Sequence, residues 1–206
     1  MLHLKSRLSL LSLTFSTLLG FSAVSTSQGE IITFDDIADA GDGIAITNGY
    51  HGYLWSQFGV LNATNSSNGY FTGMVSTPNV AYNNFTNPTE IDSVGTNFNF
   101  LSVYLTAAWT SNMNVRVQGF SGAQQLYDQT VVVSWPVQTQ FAFNYQNINR
   151  LTFTTSGGVY AGFGTVGPWF AMDNLNIVPV PEPSAILLTG AGVLGLLAFH
   201  RRNQRP

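Results

Sequence analysis

Met113-Asn114-Val115-Arg116-Val117-Gln118 decides the fold class. Apolar Met113, Val115 and Val117 alternate with polar neighbours at a period of two, which marks a strand with one face turned inward. Outward from it, Phe98 to Leu105, Leu126 to Val133, Thr139 to Phe143 and Leu151 to Thr155 read as further strands. Glu30 to Phe34 and Phe170 to Val178 read as the first and last. Gly119-Phe120-Ser121-Gly122 and Ser156-Gly157-Gly158 are expected turns, while Asn62 to Gly69 and Gly157 to Gly167 are expected long exposed loops. Helix-forming stretches are missing between the two ends of the chain. Strands recurring at about ten-residue spacing predict an all-β domain, an antiparallel β-sandwich of jelly-roll type. No internal repeat points to a propeller or solenoid.

The domain so defined runs from residue 28 to residue 178, long enough to bury a substantial core. Its basic residues are Arg116 and Arg150, against nine carboxylates, a net charge of −7. Such a body has no basic stripe with which to displace counterions from phosphates, so nucleic acid is excluded as a partner. The chain has no cysteine, which removes disulfides, thiolate catalysis and Cys-ligated metals. Stability must come from the apolar core alone.

The C-terminal stretch has a different physics. Pro181 and Pro183 cannot continue a strand ladder. Pro183 suits the first turn of a helix, and Glu182 sits favourably near the positive end of its dipole. Ser184 to Phe199 carries no charge, and at 1.5 Å per residue its helix would span roughly 24 Å of a hydrocarbon core about 30 Å thick. Thinning of the bilayer and snorkelling of Arg201, Arg202 and Arg205 cover the shortfall. Those arginines are expected on the cytoplasmic side, leaving the body outside the inner membrane. A buried C-terminal helix is the alternative, disfavoured because the run has no polar face. Pro181-Glu182-Pro183, the apolar run and the arginine cluster together resemble the PEP-CTERM sorting signal, here residues 179–206 with a transmembrane helix at 184–199. The resemblance implies a processing partner, the membrane protease exosortase. It also implies transient membrane anchoring, followed by delivery to the cell surface or extracellular matrix.

At the other end, Lys5 and Arg7 precede an apolar run from Leu8 to Phe21, and Ser25-Thr26-Ser27 supplies small residues. Residues 1–27 therefore read as a signal peptide cut near Ser27, or after Ala23-Val24-Ser25; a permanent N-terminal anchor is the alternative. Within the body, the blocks Ile32 to Asp36, Asn48 to Trp55, Asn79 to Asn83, Tyr104 to Trp109 and Phe170 to Asn174 are similar to blocks in uncharacterised exported proteins, many with the same tail. That resemblance implies no activity.

An enzyme is not expected. His51 is the only histidine of the body and reads as a loop residue beside Gly52, with no Gly-x-Ser-x-Gly elbow to accompany it. Asp35, Asp36, Asp39 and Asp42 share one short polar loop without an apolar pocket to raise a pKa. A structural calcium ion is the one cofactor expected: if first and last strands lie side by side, Asp35 or Asp36 meets Asp173, and Asn174 and backbone carbonyls complete the oxygen set. The aromatic supply points to a ligand. Sugar rings stack their C–H faces on large aromatic side chains while amides fix hydroxyls. Tyr50, Tyr53, Tyr160 and Trp169 are the expected exposed platforms, and Trp55 and Trp109 are expected in the core. The reading is an exported, non-catalytic protein that binds or structures extracellular polysaccharide. A purely structural matrix protein, a protein-binding adhesin and a glycan hydrolase are the rivals.

Overall fold

The computed structural model describes residues 29–84, 88–163 and 167–180, together with Gly192, Leu194, Leu197 and His200. Its strands are β1 (Glu30–Ile32), β2 (Ile44–Ala45), β3 (Tyr53–Ser56), β4 (Phe58–Asn62), β5 (Asn79–Asn83), β6 (Thr89–Ser93), β7 (Phe98–Ala107), β8 (Thr110–Ser121), β9 (Gln124–Val133), β10 (Thr139–Ile148), β11 (Arg150–Tyr160) and β12 (Phe170–Pro179). They form two antiparallel sheets. One runs β10-β7-β12-β5-β4-β2 with β1 also paired to β12; the other runs β3-β6-β11-β8-β9. The expected β-sandwich is the observed fold.

The alternation in β8 does what its sequence dictates: Met113, Val115 and Val117 are buried between the sheets. Phe153 lies beside Val117 in the same sheet, and Phe58, Phe100 and Phe170 face them from the other; these four rings meet mostly edge to face with centroids 5.8 to 6.4 Å apart. Each fully buried ring contributes about 1.5–3 kcal/mol, which is how a domain without disulfides holds together. In β12 the parity changes. Phe170 and Met172 point inward, then Leu175 and Ile177 do. The extra residue is Asn174 in the left-handed region (φ 48°), within a shift of pairing register against β7. Asn tolerates that conformation, and the bulge keeps both halves of the strand facing the core.

A second, smaller apolar cluster lies outside the sandwich. Leu61, Val80 and Ala171 present the opposite face of the seven-stranded sheet, and Ala63, Tyr70 and Ala108 cover it. The cover is a 3-10 turn (Ala63–Asn65), inside the expected open loop Asn62 to Gly69, followed by α1 (Gly69–Gly73), which starts where that loop ends. Ser156-Gly157-Gly158 is likewise no turn: it continues β11 in register with Met113 and Asn114 of β8. The hairpin turn near Gly122 is present, joining β8 to β9.

After β12, Val180 N–H donates to Asn97 O at 2.8 Å, which ties the residue before Pro181 to the chain entering β7. The expected signal peptide, the sorting residues Pro181, Glu182 and Pro183, and Arg201, Arg202 and Arg205 lie outside the described residues. Of the expected helix at 184–199, Gly192, Leu194 and Leu197 are described and are helical. Among the described residues no helix is long and apolar enough to cross a membrane.

Candidate functional site: an aromatic cleft on the outer sheet face

Glycine builds the floor of the site. Gly59 of β4 pairs with Tyr82 of β5, and a Cβ at Gly59 would collide with the Tyr82 ring. Bare backbone there lets the ring lie flat across the sheet. Gly69 opens α1 close against β7: its N–H donates to Ala108 O at 2.8 Å, and a side chain would run into the Ala107 carbonyl. Asn68 caps the helix through Tyr70 N–H at 3.0 Å, so Tyr70 turns down onto the sheet. On the far side, Ala108 N–H donates to Trp169 O at 2.8 Å, which ties the two indole-bearing segments together.

These restraints gather four rings. Trp109 and Trp169 meet edge to face at 4.3 Å, Tyr70 and Trp109 at 5.4 Å, and Tyr70 and Tyr82 lie 5.7 Å apart. With Leu61 and Asp42 they line an open cleft of about 220 Å³. Burial raises the Tyr70 and Tyr82 hydroxyl pKa values, so both remain neutral donors. Asp42 is exposed and is the one carboxylate among the lining residues described. Apolar ring surface, neutral hydroxyls and one acceptor suit a neutral, polyhydroxylated ligand with apolar faces.

The four rings expected as platforms do not form one surface. Trp169 lines the cleft, half-buried against the second cluster. Tyr160 is 49 % exposed at the end of β11. Tyr53 is a correction: it begins β3 with its side chain turned into the sandwich, 6 % exposed and edge-on to Phe98 at 5.4 Å, so no sugar can stack on it. Tyr50 packs its ring on Phe34 and Trp55, and its hydroxyl donates to Asp36 Oδ1 at 2.6 Å. It is committed to the fold more than to a ligand. Trp55 is core, as expected; Trp109 is not, and belongs to the cleft. Sequence reading missed Tyr70, Tyr82 and Trp109 as site residues, although Tyr82 and Trp109 sit in blocks that stood out.

The expected calcium ligands have separate tasks. β1 and β12 do pair, but Asp35 Oδ1 accepts from Asn79 N–H at 2.9 Å and fastens the turn after β1. Asp36 binds Tyr50 and, at 3.3 Å, His51 Nε2. Asp173 accepts from Val75 N–H at 2.6 Å, Ser76 N–H at 2.8 Å and Asn174 N–H at 2.7 Å. Among the described residues no group of three His, Asp or Glu side chains is placed to hold a metal ion, and Asp35, Asp36 and Asp173 each answer to different partners. His51 also lies 2.5 Å from Glu30 Oε1, an ion-pair position that ties its turn to β1.

Residues 179–202 match the model of the PEP-CTERM protein-sorting motif, which indicates an exported, membrane-anchored cell-surface protein and implies exosortase processing. No curated protein matches the chain. Among solved structures it is similar to TmCBM61 in complex with beta-1,4-galactotriose, at 11% identity over 65% of this chain and 94% of that one, TM-score 0.35. It is similar to a DUF4465 family protein from Bacteroides ovatus at 9% identity over 77% and 91%, TM-score 0.45. A CBM4 structure is similar at 14% identity over 69% and 99%, TM-score 0.35.

Proposed function

We propose that this protein is a non-catalytic surface protein that binds extracellular polysaccharide through the cleft of Tyr70, Tyr82, Trp109 and Trp169. The observation that supports it is the cleft's chemistry: four rings converge on open space with neutral hydroxyls and a single acid at the lip. A glycosidase works with a pair of carboxylates across the bond it cuts, and Asp42 has no second acid opposite it among the described lining residues. With the body's net charge of −7, that acid favours neutral glycans over polyuronates. Each stacked ring contributes about 0.5–1.5 kcal/mol beyond burial, so one cleft binds in roughly the micromolar to millimolar range. Many copies on one surface raise the effective affinity by avidity.

Affinity electrophoresis tests the reading. In gels cast with the producer's own exopolysaccharide, the protein should be retarded, and Trp109→Ala should migrate close to its rate in a plain gel. Wild-type migration unchanged by any neutral polysaccharide would refute it.

A further inference from the structure

The cleft does not end at Trp109. Thr110, the next residue, opens β8 with Tyr160 of β11 directly across from it in the ladder, and Ala161 N–H donates to Trp109 O at 3.0 Å. On the other side of the same backbone, Trp135 N–H donates to Thr110 O at 2.9 Å, and Ser111 Oγ donates to Trp135 O at 3.2 Å. Trp135 in turn meets Phe163 edge to face at 4.9 Å. Paired strands hold opposite residues about 5 Å apart, so these side chains start within one strand spacing of the cleft wall.

This end of the sandwich is also unusually apolar for a surface. Val137, Val159 and Tyr160 are 57 %, 65 % and 49 % exposed, and neither Trp135–Val137 nor Val159–Phe163 contains a charged residue. The half-buried indole of Trp135 and ring of Phe163 are braced against each other, which gives a rigid platform at little entropic cost.

We infer that Tyr160, Trp135 and Phe163 form a second subsite continuous with the cleft, so that the ligand is an extended neutral glycan chain and not a single sugar or chain end. The inference rests on the cleft reading above and adds the ligand's form to it. A chain lying in the cleft leaves past Trp109 and reaches the rim, where further units stack. The cleft alone, at about 220 Å³, holds little more than one ring.

Calorimetric titration of the full chain, in a detergent without sugar headgroups, tests this with neutral β-linked hexose oligomers from monosaccharide to hexasaccharide. Affinity should climb with length until cleft and rim are both filled, then level. Tyr160→Ala and Trp135→Ala should each weaken hexasaccharide binding about three- to tenfold while leaving disaccharide binding unchanged. Tyr160, half exposed, keeps the test valid if Trp135→Ala does not fold. Equal affinity at every length, or hexasaccharide binding indifferent to Tyr160→Ala, overturns the inference and leaves the cleft reading standing. Binding of no oligomer at any length overturns the cleft reading and the inference with it. Loss by Tyr160→Ala of binding to lipid vesicles, with oligomer binding intact, would make the rim a membrane contact and also overturn the inference.

Discussion

Asp173 shows how one side chain couples the sandwich to the cover over its outer face. Its carboxylate is fully buried, and it holds Val75 and Ser76, the chain that leads from α1 into β5. Burial pushes its pKa from 3.8 up to about 6, against the pull of the N–H groups it accepts from. A carboxyl whose folded pKa is raised takes up a proton on folding, so its stabilising contribution is full below about pH 4 and is lost as pH rises through 6. The shift corresponds to roughly 2–3 kcal/mol at most. Melting temperature should therefore fall between pH 4 and pH 7, and Asp173→Asn should flatten that slope while lowering stability overall by about 1–3 kcal/mol, since its amide faces N–H donors. An identical slope in the variant would contradict this account. The anchor was not legible in the sequence, because Val75 and Ser76 lie 98 and 97 residues away. Trp169 and Tyr53 make the same point from the other side. Both are large rings near Gly and polar residues, and nothing local tells that Trp169, just ahead of β12, lines a cleft while Tyr53, opening β3, faces the core.

At the scale of elements, α1 is the piece that makes a cleft out of a sheet face. It is five residues long, too short to be stable alone, and it is held by backbone contact at Gly69 and by Tyr70 beneath it. Gly69→Ala places a methyl group against the Ala107 carbonyl, and neither backbone can yield cheaply. The variant should lose about 1–3 kcal/mol in a urea titration and bind glycan more weakly, because Tyr70 lifts off with the helix. Full stability with full binding would show that α1 does not shape the site. The long strands were legible: β7 to β12 carry runs or alternations that sequence reading found, short only of their true ends. β2 to β6 were missed because they are two to five residues long and interrupted by Gly and polar residues. A five-residue helix has no periodicity to detect, and the bulge at Asn174 is a matter of pairing, which no local pattern records.

At the scale of the molecule, folding and sorting meet at one residue. Among the described residues the sandwich's last backbone hydrogen bond is made by Val180, and Pro181-Glu182-Pro183 follows at once in the sequence. A cut within that segment would release the domain with its core untouched. Mass spectrometry of the protein from an exosortase-bearing cell should find a C-terminus near Glu182; a mature chain still ending at Pro206 would contradict the sorting account. The address was legible in the tail because three features stand together there. The binding surface was legible only as a supply of aromatics, since the cleft joins residues from α1, β4, β5, the β7–β8 turn and the approach to β12. The most direct test of that surface is calorimetric titration of the exported protein with the producer's neutral exopolysaccharide, wild type against Trp169→Ala, with thermal melts of both. Saturable binding by the wild type, weakened at least tenfold in a variant that still melts cooperatively, is the predicted result. Equal binding by both proteins, or none by the wild type, would contradict it.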